Sequence, residues 1–411
     1  MSDQIKIIPG GVTAAKGFQA AATAAHIKYK DRTDMALVVS SEKCVCAGTF
    51  TSNVVKAAPV LWDRQIVEAG GFVQAIVANS GIANACTGQE GLDLCRMEAE
   101  EVASRLVITP ESVLTASTGV IGMQLPPDRL KAGIEDLASS LSDSLEAGTA
   151  AEKAIMTTDT RPKEIAVTFE IGGVPVTLGG MAKGSGMIHP NMCTMLSFLT
   201  TDLAISRELL QKALREVVQD SFNMISVDGD TSTNDTLLIL ANGLSGAPEI
   251  TSEGPDYALF LEALHTVCCD LARKMAGDGE GATCLFTCRV TGADTKEHAR
   301  TLAKSVICSS LTKAMIYGHD CNFGRVLCAL GYSGVSFDPA HVDLYFESTG
   351  GRIHIYGDGS AKEYSEEEAS KILADPEVIA LVDMHMGAEE ATAWGCDLSY
   401  DYVKINADYR S

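Results

Sequence analysis

Gly180-Met-Ala-Lys-Gly-Ser-Gly-Met-Ile-His-Pro-Asn-Met-Cys193-Thr194-Met-Leu-Ser-Phe-Leu-Thr-Thr-Asp202 carries a glycine loop with one lysine, Lys183, into an apolar stretch headed by a threonine. A threonine hydroxyl is a weak nucleophile without an adjacent base, and no histidine–aspartate pair is spaced here to supply one. Cutting the chain before Thr194 would make its own α-amine that base. Upstream, Ile165, Val167, Phe169 and Ile171 alternate with polar residues, Gly172-Gly173 turns, and Val174, Val176 and Leu178 return. This predicts a hairpin over 164–178 that delivers the chain into the glycine loop. The segment 194–201 reads as a buried strand. A helix follows, capped by Ser206 and facing inward through Leu209, Ala213, Leu214 and Val217.

Further out, 72–79 reads as a strand, and helices are expected through Leu94, Met97 and Val102 and through Leu130, Ile134, Leu137 and Leu141. The second half repeats the style. It has strands at 237–241 and 285–290, a long helix through Leu261–Met275, a helix around Leu302–Ile307, and a hairpin pairing 342–346 with 353–356. Hairpins outweigh a simple βαβ rhythm, which favours sheets sandwiched by helices over a doubly wound parallel sheet.

The 411 residues are 46% hydrophobic and 21% charged, as in an ordinary globular protein large enough for one or two substantial cores. No window approaches the roughly 18 apolar residues of a membrane span, and the first ten residues lack the pattern of an export signal. The net charge of −22 argues against nucleic acid and anionic membrane as partners. An anionic substrate would need a local cation, for which Lys183 is the candidate. The 13 cysteines include no CxxC pair and no zinc-type Cys/His spacing, so they are read as reduced core residues and no metal is expected.

Four glycine-rich loops, at 117–122, 179–186, 277–281 and 318–324, match neither a phosphate loop nor a dinucleotide fingerprint, so no nucleotide cofactor is expected. Taken together they suggest backbone amides arranged around a cavity. Thr118-Gly119 falls at a predicted element end, where a hydroxyl and an N–H could face a developing oxyanion. Glu280, between two glycines, could pair with a substrate ammonium group. His189 and His319 lie in loops without a histidine at metal spacing. The aromatic and β-branched C-terminus predicts a tail tied down so that Asn406 and Ser411 close a site.

Several long motifs, in order, resemble one family from end to end: Ala-Asn-Ala-Cys-Thr-Gly at 83–88, Ser-Thr-Gly-Val-Ile-Gly at 117–122, Ile-Met-Thr-Thr-Asp-Thr at 155–160, Gly-Met-Ala-Lys-Gly-Ser-Gly-Met at 180–187, Asn-Met-Cys-Thr-Met-Leu at 191–196, Gly-Asp-Gly-Glu-Gly-Ala-Thr at 277–283 and the Val-Lys-Ile-Asn-Ala-Asp-Tyr-Arg-Ser end. The chain is similar to the ornithine acetyltransferases, the bifunctional glutamate N-acetyltransferases of arginine biosynthesis. The resemblance implies an α+β fold, an αββα layered sandwich of the ornithine acetyltransferase/DmpA-like kind, similar to N-terminal-nucleophile hydrolases but differently connected. It implies self-cleavage at Cys193–Thr194 into chains 1–193 and 194–411, with Thr194 the nucleophile and Thr118 and Gly119 the oxyanion hole. Thr157, Lys183, Thr194, Glu280, Asn406 and Ser411 match its substrate-binding positions. It further implies transfer of acetyl from N2-acetylornithine to glutamate, and a cytoplasmic α2β2 heterotetramer. Acetyl-CoA is a second donor in the bifunctional members only. Two departures stand out: Cys193 replaces the usual alanine, and Cys284 replaces a lysine. An N-terminal-nucleophile aminopeptidase or amidase, with water as acceptor, is the alternative.

Overall fold

A computed structural model describes residues 4–189 and 195–408; Cys193, Thr194 and Ser411 lie outside the described residues. The chain forms two compact units: Met1–Gly184, Asn191–Phe222 and Thr231–Leu271 in the first, and Ser185–Pro190, Asn223–Asp230 and Ala272–Ser411 in the second. These units interleave along the sequence. They follow packing, whereas the expected division at 193/194 is a matter of covalent cutting.

In the first unit the long strand Met35–Phe50 serves two sheets. Its first part pairs antiparallel with Phe18–Thr23 on one side and Val73–Asn79 on the other, and Val113–Ser117 adds parallel to the latter. The register shifts between Val39 and Cys44, across the polar run Ser40-Ser41-Glu42-Lys43. Beyond that break the same strand pairs with Thr236–Ala241, which lies parallel to Leu196–Thr201. The sheet continues through Val174–Lys183 and Glu164–Ile171 to the edge strand Lys6–Ile8.

The inner faces of the two sheets meet. Met181, Leu196, Phe198, Leu238 and Leu240 from one share a core with Ala36, Val38, Ile76, Ala78 and Leu114 from the other. The alternate residues Leu37, Val39, Ala75 and Val77 bury instead against helices Gly88–Leu106 and Pro127–Ser139, through Leu94, Val102, Leu130, Ile134 and Leu137. Helix Arg207–Gln219 packs on strand Met35–Phe50, and Val267 and Leu271 of helix Pro255–Gly277 lie over Gly180 on the outer side of the other sheet. The layers are therefore α, β, β, α, as expected. Period-two burial is what produces them, because each strand must give its two faces to different partners.

The expected hairpin is present, with Ile171 opposite Val174. Ser206 caps its helix by accepting from the Leu209 N–H. Leu210 rather than Leu209 takes the buried position, alongside Ala213, Leu214 and Val217.

The second unit holds a seven-stranded sheet in the order Ser360–Ala361, Gly351–Gly357, Asp343–Ser348, Glu377–Asp383, Leu285–Ala293, Glu389–Cys396, Ile225–Ser226. Phe286, Cys288, Val290, Leu344, Phe346, Ala391 and Ala393 form its apolar face, packed against helices Lys296–Cys308, Phe323–Gly331 and Glu366–Leu373. The described cysteines are all free thiols and most are buried, where burial pushes Cys44, Cys269 and Cys284 up to about 12. They pack as small hydrophobes.

Candidate active site

Strand Val113–Ser117 runs out at Thr118, whose N–H donates to Asn79 O at 3.0 Å; two residues on, the Val120 N–H donates to Gly81 O at 3.1 Å. Between them Gly119 has φ +133°, and a Cβ there would lie 2.3 Å from the Gly81 carbonyl carbon. Only glycine can make this turn. Its N–H has no backbone partner among the described residues. A hydroxyl and an uncommitted amide on adjacent residues of a rigid strand end suit an oxyanion.

Lys183, the last residue of strand Val174–Lys183, is 7% exposed. Its Nζ donates to Thr157 Oγ1 at 2.8 Å and to Thr118 Oγ1 at 3.3 Å. Three residues singled out from the sequence, on three separate elements, are thus joined by one ammonium group.

Asp159, which the sequence reading passed over, organises this cluster. Its buried carboxylate accepts from Lys163 Nζ at 2.8 Å, from the Gly184 N–H at 2.6 Å and from the Thr157 N–H at 3.0 Å, with Lys183 Nζ at 3.8 Å. Burial alone would raise its pKa. The Lys183 and Lys163 ammoniums outweigh that and hold the carboxyl well below its ordinary range. The carboxylate is therefore shared by two buried cations and pins Gly184 of the loop. Lys163 also donates its N–H to Glu152 at 2.9 Å; burial pushes Glu152 up to about 8 despite the nearby lysine.

In the second unit the loop continues through Ser185 and Gly186. The Glu280 N–H donates to Ser185 O at 2.9 Å, and the Glu280 carboxylate lies directly over Gly186, where a Cβ would sit 2.4 Å from its Cδ. Asn406 Nδ2 donates to Glu280 Oε2 at 2.7 Å from helix Tyr400–Ala407. That helix is capped by Ser399, whose hydroxyl also donates to Gly281 O at 2.6 Å. Helix Tyr400–Ala407 is tied down by these bonds and brings Asn406 to Glu280, whereas Ser411 lies outside the described residues. Among the described residues no cation pairs with Glu280.

Asp228 clamps the following residues. It accepts the N–H groups of Met187 at 2.6 Å and Ile188 at 2.9 Å, while the Val227 N–H donates to Ile188 O at 2.7 Å. His189 Nδ1 lies 3.1 Å from Ser226 Oγ and 3.5 Å from Cys308 Sγ. Burial, helped by Lys304, lowers its pKa to about 4, so the ring is neutral at physiological pH. Cys284, the departure from lysine, is a core residue here. Its thiol donates to the carbonyls of Leu285 and Asp375, and its N–H donates to Asp397. Among the described residues no group of three His, Cys, Asp or Glu side chains could hold a metal ion.

An αββα layered unit with an open glycine-turn amide near a buried lysine has groups suited to acyl transfer. The chain belongs to the ArgJ family, whose profile matches residues 19–411. It is 52% identical over 406 residues to the arginine biosynthesis bifunctional protein ArgJ of Symbiobacterium thermophilum, covering 98% of this chain and 99% of that one. It is 50% identical over 410 residues to ArgJ 1 of Clostridium acetobutylicum, covering 100% of both. Among solved structures, the ornithine acetyltransferase of Mycobacterium tuberculosis complexed with ornithine matches at 41% identity and TM-score 0.43, over 46% of this chain and 98% of that one.

Proposed function

We propose that this chain is the acetyltransferase of the arginine biosynthetic pathway that moves an acetyl group from N2-acetylornithine to glutamate through an acetyl-Thr194 ester. The observation that carries the reading is the joining of Thr118, Thr157 and Lys183 beside the Gly119 amide. During maturation the Thr194 hydroxyl attacks the Cys193 carbonyl carbon, the C–N bond breaks with the nitrogen taking the proton, and water hydrolyses the resulting ester. Chains 1–193 and 194–411 result, the second with a free α-amine.

That amine has an ordinary pKa of roughly 7.7–8.0, so a useful fraction is neutral near pH 7. It accepts the Oγ proton as Oγ attacks the acetyl carbonyl. Thr118 and the Gly119 N–H hold the oxyanion, a contribution of about 3 kcal/mol per donor. Ornithine leaves with the proton, and the glutamate amine then takes the acetyl group by the reverse sequence. One site serving two substrates in turn gives ping-pong kinetics.

Lys183 neutralises a substrate carboxylate with Thr157 beside it, and Glu280, positioned by Asn406, takes a substrate ammonium. Ser411 completes the set of substrate-binding residues. The reaction needs no cofactor, and acetyl-CoA would load the same hydroxyl as a second donor. The working form is a cytoplasmic heterotetramer of two 1–193 and two 194–411 chains.

The test is a side-by-side measurement of acetyl transfer to glutamate and of simple hydrolysis. Glutamate-dependent loss of N2-acetylornithine with stoichiometric N-acetylglutamate supports the reading. Release of free acetate at the same rate without glutamate sinks it in favour of an amidase.

A further inference from the structure

The first unit contains a cavity of about 450 Å³ that none of the candidate site residues lines. Its floor is the far part of strand Met35–Phe50, with Cys46, Gly48 and Phe50, and its walls come from helices Ala58–Ala69 and Arg207–Gln219. Three guanidiniums line it, those of Arg64, Arg207 and Arg215, against the single carboxylate of Glu68. In a chain of net charge −22 such a local excess of cations stands out.

One of the cations, Arg207, and the neutral Gln211 beside it are held in place, while Arg64 and Arg215 are exposed. Arg207, Gln211 and Arg215 are spaced four apart and therefore lie on one face of their helix. The middle member is anchored: Gln211 Oε1 accepts the Gly48 N–H at 3.2 Å and its Nε2 donates to Gly48 O at 3.1 Å. Arg207 Nη2 donates to Gly71 O at 2.9 Å, while its Nη1 is out of contact with solvent and has no acceptor. A buried donor without a partner costs about 1–3 kcal/mol. Arg207 also occupies the first position of its helix, where the helix dipole opposes a cation. The second of these costs is offset if an anion sits in the cavity. The Arg64–Glu68 pair at 2.6 Å has side chains 50% and 62% exposed, so solvent screens it and Arg64 is available to a ligand.

We propose that this cavity is a binding site for a small organic phosphate, separate from the acyl-transfer residues. Guanidinium forks match the geometry of a phosphate group, and a dianion balances the net charge of the lining. The volume far exceeds that of one phosphate and lies in the range of small-molecule sites. Val67 and Phe50 supply an apolar surface for the attached organic group. The inference does not depend on the reaction proposed above.

The test is calorimetric titration of the full-length protein with phenyl phosphate and, separately, with inorganic phosphate. Phenyl phosphate should bind saturably, about tenfold tighter than inorganic phosphate and more weakly as salt is raised. Arg207→Gln and Arg215→Gln should each weaken it by about tenfold or more, and Arg207→Lys by less, because lysine keeps the charge without the fork. Acetyl transfer and the melting temperature should change little in these variants, which separates lost binding from lost folding. Absence of saturable binding to the wild type overturns the proposal, as does binding that survives both glutamine variants. Equal affinity for the two probes overturns the organic part of the assignment.

Discussion

Asp159 and Glu280 are both buried carboxylates, one in each unit, yet their surroundings differ completely. Asp159, in the first unit, faces two ammoniums and two backbone N–H groups and is fully compensated. Glu280, in the second unit, has the neutral amide of Asn406 and, among the described residues, no cation. A compensated charge makes a rigid scaffold, whereas an uncompensated one is left for a ligand. On this contrast the proposed function takes Asp159 as a positioning residue and Glu280 as a binding residue, although in the sequence only Glu280 stands among glycines.

The contrast breaks first at Asp159. Asp159→Asn removes the buried carboxylate that Lys163 and Lys183 share and should cost about 3–5 kcal/mol in urea unfolding, with activity lost alongside. A variant of wild-type stability would show that the lysines are compensated elsewhere. Thr118→Ala should unfold normally but lower kcat about 10²–10³-fold, because it removes one oxyanion donor and leaves the Lys183–Thr157 bond in place. Unchanged kcat would remove Thr118 from the chemistry.

Glu280→Gln sharpens the other side. Stability should hardly change, while KM for N2-acetylornithine rises by about 10–100-fold, the value of a lost charged hydrogen bond. A fall in stability with unchanged KM would make Glu280 a structural residue like Asp159.

The smallest effect concerns pH. Burial pushes Glu98 up to about 8 in the folded protein, above its ordinary value of 4.5. The native state therefore holds this proton more tightly than the unfolded chain. The associated stability is complete below about pH 4.5 and is lost as pH rises through 8. Glu98→Gln should flatten that decline and be about 1–2 kcal/mol more stable than wild type at pH 9, read from melting curves across pH 6–9.

Local signals made much of the fold legible. The hairpin expected over 164–178 announced itself by alternation and a Gly-Gly turn, and Ser206 by its capping chemistry. Strand Met35–Phe50 escaped because its alternation is interrupted by Ser40-Ser41-Glu42-Lys43, and because its role in two sheets is set by partners about 200 residues away as well as by near ones. Helices Ser310–Tyr317 and Phe323–Gly331 are too short to show a period against the intervening glycines.

The same division holds for the site. Thr118, Gly119, Thr157, Lys183, Glu280 and Asn406 came from motifs, and the structure adds the bonds among them. Asp159 went unread because its partners stand four and 24 residues away with no helix between them, so no spacing rule connects them. The four-residue spacing of Arg207, Gln211 and Arg215 was visible, but on an amphipathic helix such a face is ordinarily solvated. Only the cavity gives it meaning.

The central claim is that a threonine freed by scission carries the acetyl group. Intact-mass measurement of the purified protein, before and after brief exposure to N2-acetylornithine without glutamate, tests it directly. The account predicts two chains of about 20 and 23 kDa, the larger beginning at Thr194 and gaining one acetyl group that glutamate removes. A single uncut chain with full transferase activity, or an acetyl group carried by the 1–193 chain, would contradict it.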